Sequence, residues 1–207
     1  IRVINADDSE GSSFGLTSLT WAQRHDAGAF YYPVGVVQLK DGNYAITSQT
    51  ADLLSVYTPT GSLVGWIKLD RPAGTAYAGD PGFRNPNGLG IDPVSGELLV
   101  GYAAASGVRG LVERIDPTEA LISVGSTVPA TTTAGLKATI GVGTLPNGNG
   151  FTVAVDPITR DVYVAMEAGQ LYVFGADGTS KGRLSAVGSG SGDGQIATSV
   201  RGSAFDS

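Results

Sequence analysis

The chain has 207 residues, enough for a packed core, with 31 glycines, 10 prolines and only 15% charged residues. Its formal net charge is −6, from 13 Lys and Arg against 19 Asp and Glu, which disfavours a nucleic-acid partner because phosphate binding needs a basic face. The lack of cysteine excludes disulfides and thiolate metal sites, and no run approaches the ~20 apolar residues that cross a bilayer as a helix.

In chain order, Ile1 to Ile4 reads as a short strand followed by a polar turn through Asp8; it lacks the basic start and apolar core of a signal peptide. A first repeat follows. Val34–Leu39 and Tyr44–Ile46 flank the turn Asp41-Gly42, a third strand runs over Leu54–Tyr57, and an outer strand is expected over Leu63–Leu69. The second repeat has Gly88–Ile91, a turn from Asp92-Pro93 to Gly96, then Leu98–Val100 and Val112–Ile115, with a weaker outer strand over Leu121–Val124. The segment from Thr118 to Gly150 is rich in Thr and Gly and is expected to be a long exposed loop. The third repeat has Thr152–Val155, the turn Asp156-Pro157, Val162–Val164, Leu171–Phe174 and an outer strand over Lys181–Leu184. Arg201–Ser207 matches a first strand, after which the sequence stops.

Three or four strands recurring every roughly 50–60 residues predict an all-β chain and a β-propeller of four-stranded antiparallel blades. The spacing divides it into a partial blade (1–30), three full blades (31–82, 83–146 and 147–196) and the first strand of another (197–207). Both ends fall inside a repeat, so the sequence reads as a fragment of a longer propeller. Trp21, Tyr57, Trp66 and Phe174 are assigned to packing between blades.

The repeat starts carry a family resemblance. Ala29-Phe30-Tyr31-Tyr32-Pro33-Val34-Gly35, Phe83-Arg84-Asn85-Pro86-Asn87-Gly88, and the Gly-rich run Ser189 to Gln195 before Arg201-Gly202 all resemble the lead-in and first strand of NHL repeats. Thr152 and Val200 depart from the family's Gly and Pro, and Met166 follows Val162-Tyr163-Val164-Ala165 where the family has Asp. The resemblance implies a propeller that typically closes six blades, about half of it outside this chain.

Motifs for chemistry are sparse. His25 is the sole histidine and sits between Arg24 and Asp26 as a solvated residue, which excludes multi-histidine metal sites. Asn87 resembles the calcium-binding Asn of gluconolactonase-like propellers, but Val34 and Phe151 stand where that family has acids, so a turn role is preferred. Gly141-Val142-Gly143 and Gly188–Gly194 lack a following helical period and read as loops rather than phosphate cradles. Asp7-Asp8 lacks the spaced oxygens that calcium requires. No cofactor, metal or catalytic residue is therefore expected.

In a propeller, ligands are taken by loops that lead into the first strands and loops that join second to third strands. The first set supplies Tyr31, Tyr32, Arg84, Asn85, Asn87, Asn149 and Arg201, and the second Gln49, Asp52, Arg109, Glu167 and Gln170. Aromatics, amides and a few charges suit protein or carbohydrate recognition. The expected function is a non-catalytic binding scaffold of an exported or cell-surface bacterial protein. The alternative is a metal-dependent lactonase-like or lyase-like propeller enzyme whose site lies partly outside this chain. Open blade edges would also permit self-association.

Overall fold

A computed structural model describes residues 2–4, 10–13, 33–48, 53–69, 85–103, 110–129, 132–146, 151–166 and 169–184. The described chain is all-β apart from one four-residue helix, and its sheets are antiparallel. A two-stranded ribbon pairs β1 (Arg2–Ile4) with β2 (Glu10–Ser13). Three larger sheets follow, and none closes on itself.

The first large sheet is an up-and-down run of β3 (Pro33–Gln38), β4 (Tyr44–Ser48), β5 (Leu53–Tyr57) and β6 (Leu63–Lys68). The second begins with β7 (Asn85–Ile91), β8 (Leu98–Ala103) and β9 (Leu111–Ile115). The third consists of β12 (Phe151–Val155), β13 (Val162–Met166), β14 (Gln170–Phe174) and β15 (Ser180–Arg183). Each inner strand pair lies where the repeat predicts it.

The outer strands of the first and third sheets, β6 and β15, also form where expected, and that of the second departs from expectation. Leu121–Ser123 does form a strand, β10, but it pairs with β6 of the preceding sheet rather than with its own. The fourth place in the second sheet is taken by β11 (Leu136–Ile140), which comes from the stretch expected to be an exposed loop. The cause is local. Asp116 caps the helix α1 (Pro117–Ala120), accepting the Thr118 and Glu119 amides on its side chain, and this turn carries the chain across to the first sheet. Gly65 makes the crossing strand fit: a Cβ there would collide with the Ile122 carbonyl oxygen.

The inner strands β8 and β9 of the second sheet are buried along Leu98–Tyr102 and Leu111–Ile115, on both faces. Leu98, Val100, Leu111 and Ile115 pack with Leu54, Val56 and Ile67 of the first sheet. On the opposite face, Leu99 and Val112 pack with Ile140 and with Val153, Val164 and Phe174 of the third. Phe174 is thus an inter-sheet residue, as expected. Trp66 packs with Leu53, Val128 and Ile122, its ladder partner on β10, and Tyr57 packs with Ile46, so both fill the first sheet's own side rather than a junction between repeated sheets; Trp21 lies outside the described residues.

First strands approach one another closely enough to require glycine. A Cβ on Gly35 of β3 would stand 2.8 Å from the Leu89 Cβ of β7, and one on Gly90 would stand 2.8 Å from the Val153 carbonyl oxygen of β12. The Gly90→Ala variant is expected to lose about 1–3 kcal/mol in urea unfolding, the cost of overpacking against backbone. An unchanged midpoint would contradict the contact between β7 and β12.

Candidate functional site

The three first strands run in the same direction, because the turns that follow them meet. Lys40, after β3, donates from Nζ to the Val94 carbonyl after β7 at 2.6 Å, and Arg160, after β12, reaches Asp92 after β7. The starts of β3, β7 and β12 therefore gather at the opposite end, together with the ends of the second strands and the starts of the third. This is the end to which the sequence assigns ligand binding.

A β-bulge shapes two of those strand starts. Pro33 pairs with Ser48 and Gly35 with Thr47, leaving Val34 unmatched in the ladder; Pro86 pairs with Tyr102 and Gly88 with Gly101, leaving Asn87 unmatched. Both carry Pro-x-Gly. β12, with Phe151-Thr152 instead, pairs in register with Met166 and Ala165. A bulge re-aims the extra residue, so Asn87 sits half-buried at a conformation the repeat sets. Gln170 begins β14 at the same end, its Oε1 accepting the Tyr172 hydroxyl at 3.1 Å.

Of the other candidates, Asn85 is the first residue of β7. Tyr31, Tyr32, Arg84, Arg109, Asn149, Glu167 and Arg201 lie outside the described residues, as do Gln49, Asp52, His25, Asp7-Asp8 and Gly188–Gly194. Gly141 and Gly143 have φ of 81° and 73°, in a turn closed by the Thr144 and Leu145 amides on the Gly141 carbonyl, in agreement with the loop reading.

The described charge concentrates at the turn end instead. Asp92-Pro93 and Asp156-Pro157 open two matching turns, in which each aspartate accepts the amides two and three residues on. Gly96 closes the first turn at φ 82°, and Arg160 takes the equivalent place in the second at φ 61°, a conformation unfavourable for a long side chain. Arg160 is held there by a forked pair with Asp92, at 3.1 Å from Nε and 2.5 Å from the terminal nitrogen to Oδ2.

Asp92 is fully buried and shared. Arg114 of β9, nearly buried itself, stands 3.5 Å from both Asp92 and Glu97, and donates to the Ala176 carbonyl of the third sheet at 2.6 Å. One position back, Glu113 faces the other seam, where the Tyr102 hydroxyl donates to it at 2.6 Å. β9 thus sends one buried charge to each neighbouring seam. Burial alone would raise the Asp92 carboxyl; the Arg160 guanidinium and the Val94 and Ser95 amides outweigh it and hold the group at about 2. A carboxylate so held has no proton to give near neutrality, and its chemistry is that of a clamp.

Beside this network is a cleft of about 300 Å³ between the first two sheets. Its base is apolar, formed by buried Leu39 and Val56 with half-buried Leu121. Its walls come from three turns: Lys40 and Asp41, then Ser95 and Glu97, then Asp116 and Thr118. Sequence reading passed over it because its residues come from turns far apart in the chain, each ordinary by itself. No protein-family model matches this chain, and no curated protein matches it.

The depressed Asp92 carboxyl fixes a pH dependence. A folded carboxyl at about 2 against an ordinary 3.8 adds stability that is full above about pH 4 and fades as the pH falls towards 2. That contribution is on the order of 2 kcal/mol, reduced by the one-third exposure of Arg160. Urea midpoints of the native chain should therefore fall more steeply between pH 4 and 2 than those of Asp92→Asn. Parallel curves would show that Asp92 is not the titrating clamp.

Proposed function

We propose that this chain is a run of β-propeller blades built from NHL-like repeats, and that it acts as a non-catalytic binding scaffold. The observation that carries the reading is the succession of antiparallel sheets, each starting with three consecutive strands running up and down, whose first strands lie side by side and run the same way. That arrangement brings the starts of the first and third strands and the ends of the second to one end, where Asn87 and Gln170 stand. In this reading the ligand is a protein or a carbohydrate, met by amides, aromatics and a few charges. An exported or bacterial cell-surface setting fits the acidic composition and the Gly-, Ser- and Thr-rich loops.

Two features support binding over catalysis. Buried Asp92 and Arg114, with the partly exposed Arg160, bond across the sheets and hold the architecture. The bulge at Asn87 presents an amide on a rigid ladder, a device for recognition. Val36 and Val34 of β3 are 55% and 43% exposed, a flank suited to a further blade or to a second copy of the chain.

The test is a labelled preparation of the chain applied to glycan and peptide arrays, followed by titration of the best ligand against Asn87→Ala and Gln170→Ala. Loss of about ten-fold in affinity, with an unchanged far-ultraviolet spectrum, is expected for at least one variant. Full affinity in both would place recognition elsewhere, and turnover of the ligand would sink the scaffold reading.

A further inference from the structure

The cleft at the turn end has a chemistry of its own, independent of whether the sheets belong to a propeller. Its three carboxylates, Asp41, Glu97 and Asp116, stand on three different walls. Against them is one wall cation, Lys40, whose stem lies over Gly96, where a Cβ would meet its Cδ at 2.8 Å. Its ammonium is anchored on the Val94 carbonyl. The other cations near these carboxylates stand at ion-pair range rather than in tight bonds: Arg114 Nε is 3.5 Å from Glu97, and Lys137 Nζ is 3.7 Å from Asp116. Among the lining residues themselves, three carboxylates stand against one cation, and the base is aliphatic.

A metal ion is a poor match for that layout. Among the described residues no three acidic or imidazole side chains stand close enough to share one. An occupant must instead be extended, with an apolar stem for Leu39, Val56 and Leu121 and a cationic head broad enough to address separated carboxylates. A guanidinium on its three-carbon stem has that form, is more weakly hydrated than an ammonium and offers five donors in a plane. The volume of about 300 Å³ accommodates one such side chain with its flanking backbone outside.

The geometry points to this cleft as a docking site for an arginine side chain of a basic polypeptide partner, at the end of the sheets opposite Asn87. Charge complementarity selects the partner: the chain carries net charge −6, so a basic polypeptide is also drawn to it at long range.

The experiment titrates the intact chain with the capped peptide acetyl-Gly-Arg-Gly-amide and its citrulline counterpart, which keeps the shape and removes the charge. Amide shifts of Gly96 and Thr118 report the site. Saturable arginine binding is expected, about ten-fold weaker for citrulline and weaker in high salt. Asp41→Asn, on an exposed turn, should weaken binding several-fold with melting unchanged, and Glu97→Gln should weaken it several-fold with a small fall in melting, because Arg114 loses one of its counter-charges. Lys40→Met should strengthen it, a direction that simple damage to the fold would not give. Equal binding of the citrulline peptide, indifference to both carboxylate variants, or weaker binding in Lys40→Met would overturn the proposal. Spermidine binding as tight as the arginine peptide would overturn the polypeptide assignment in favour of a free amine.

Discussion

Asp92 is the point through which the second and third sheets are tied. It is a buried carboxylate at the end of the first strand of the middle sheet, and its own turn, Arg114 of the same sheet and Arg160 of the next all converge on it. A buried charge is destabilising unless matched, and here the match comes partly from another sheet. The consequence is directional: the third sheet gains its ion pair only when its first turn lies against that of the second. Apolar packing alone would hold the same faces together with far less preference for one register.

Close packing of the first strands works with this clamp. Gly35 and Gly90 remove the side chains that would hold neighbouring strands apart, and the turns that follow are then near enough for Lys40 to reach Val94 and Arg160 to reach Asp92. At the outer edge the joint is of a different kind. β10 leaves its own repeat and completes the first sheet beside β6, so a strand of the second repeat is held by backbone hydrogen bonds in the first sheet. β15, the corresponding edge of the third sheet, is exposed along its length and carries Lys181 and Arg183, charges of the sort that discourage unplanned edge pairing.

Much of this was legible in the sequence, for reasons that can be named. Inner strands were readable because Asp-Gly and Asp-Pro turns bracket short apolar runs, and because the repeat tests each assignment three times. The outer strands β6 and β15 were readable too, but that of the second sheet was not, because pairing partners are chosen by tertiary space: nothing in Leu121-Ile122-Ser123 says which sheet it will join, and the decisive residue, Gly65, is far away in the chain. Leu136-Lys137-Ala138-Thr139-Ile140 was hidden by the Thr- and Gly-rich stretch around it. The site shows the same division. The Pro-x-Gly bulge that sets Asn87 is a local signal, whereas the cleft and the Asp92 clamp join separate turns. Arg160 left one trace, a long side chain where the matching turn has Gly96, and its meaning is clear only with Asp92 beside it.

The most direct test of the clamp is a double-mutant cycle between Asp92 and Arg160, using Asp92→Asn and Arg160→Gly in urea unfolding, with glycine chosen because it suits the positive φ at that position. Coupling of about 1–2 kcal/mol is predicted, the range for partners in one network with one of them partly exposed. Strictly additive losses would contradict the account, and would mean that the sheets are aligned by apolar packing without help from the buried carboxylate.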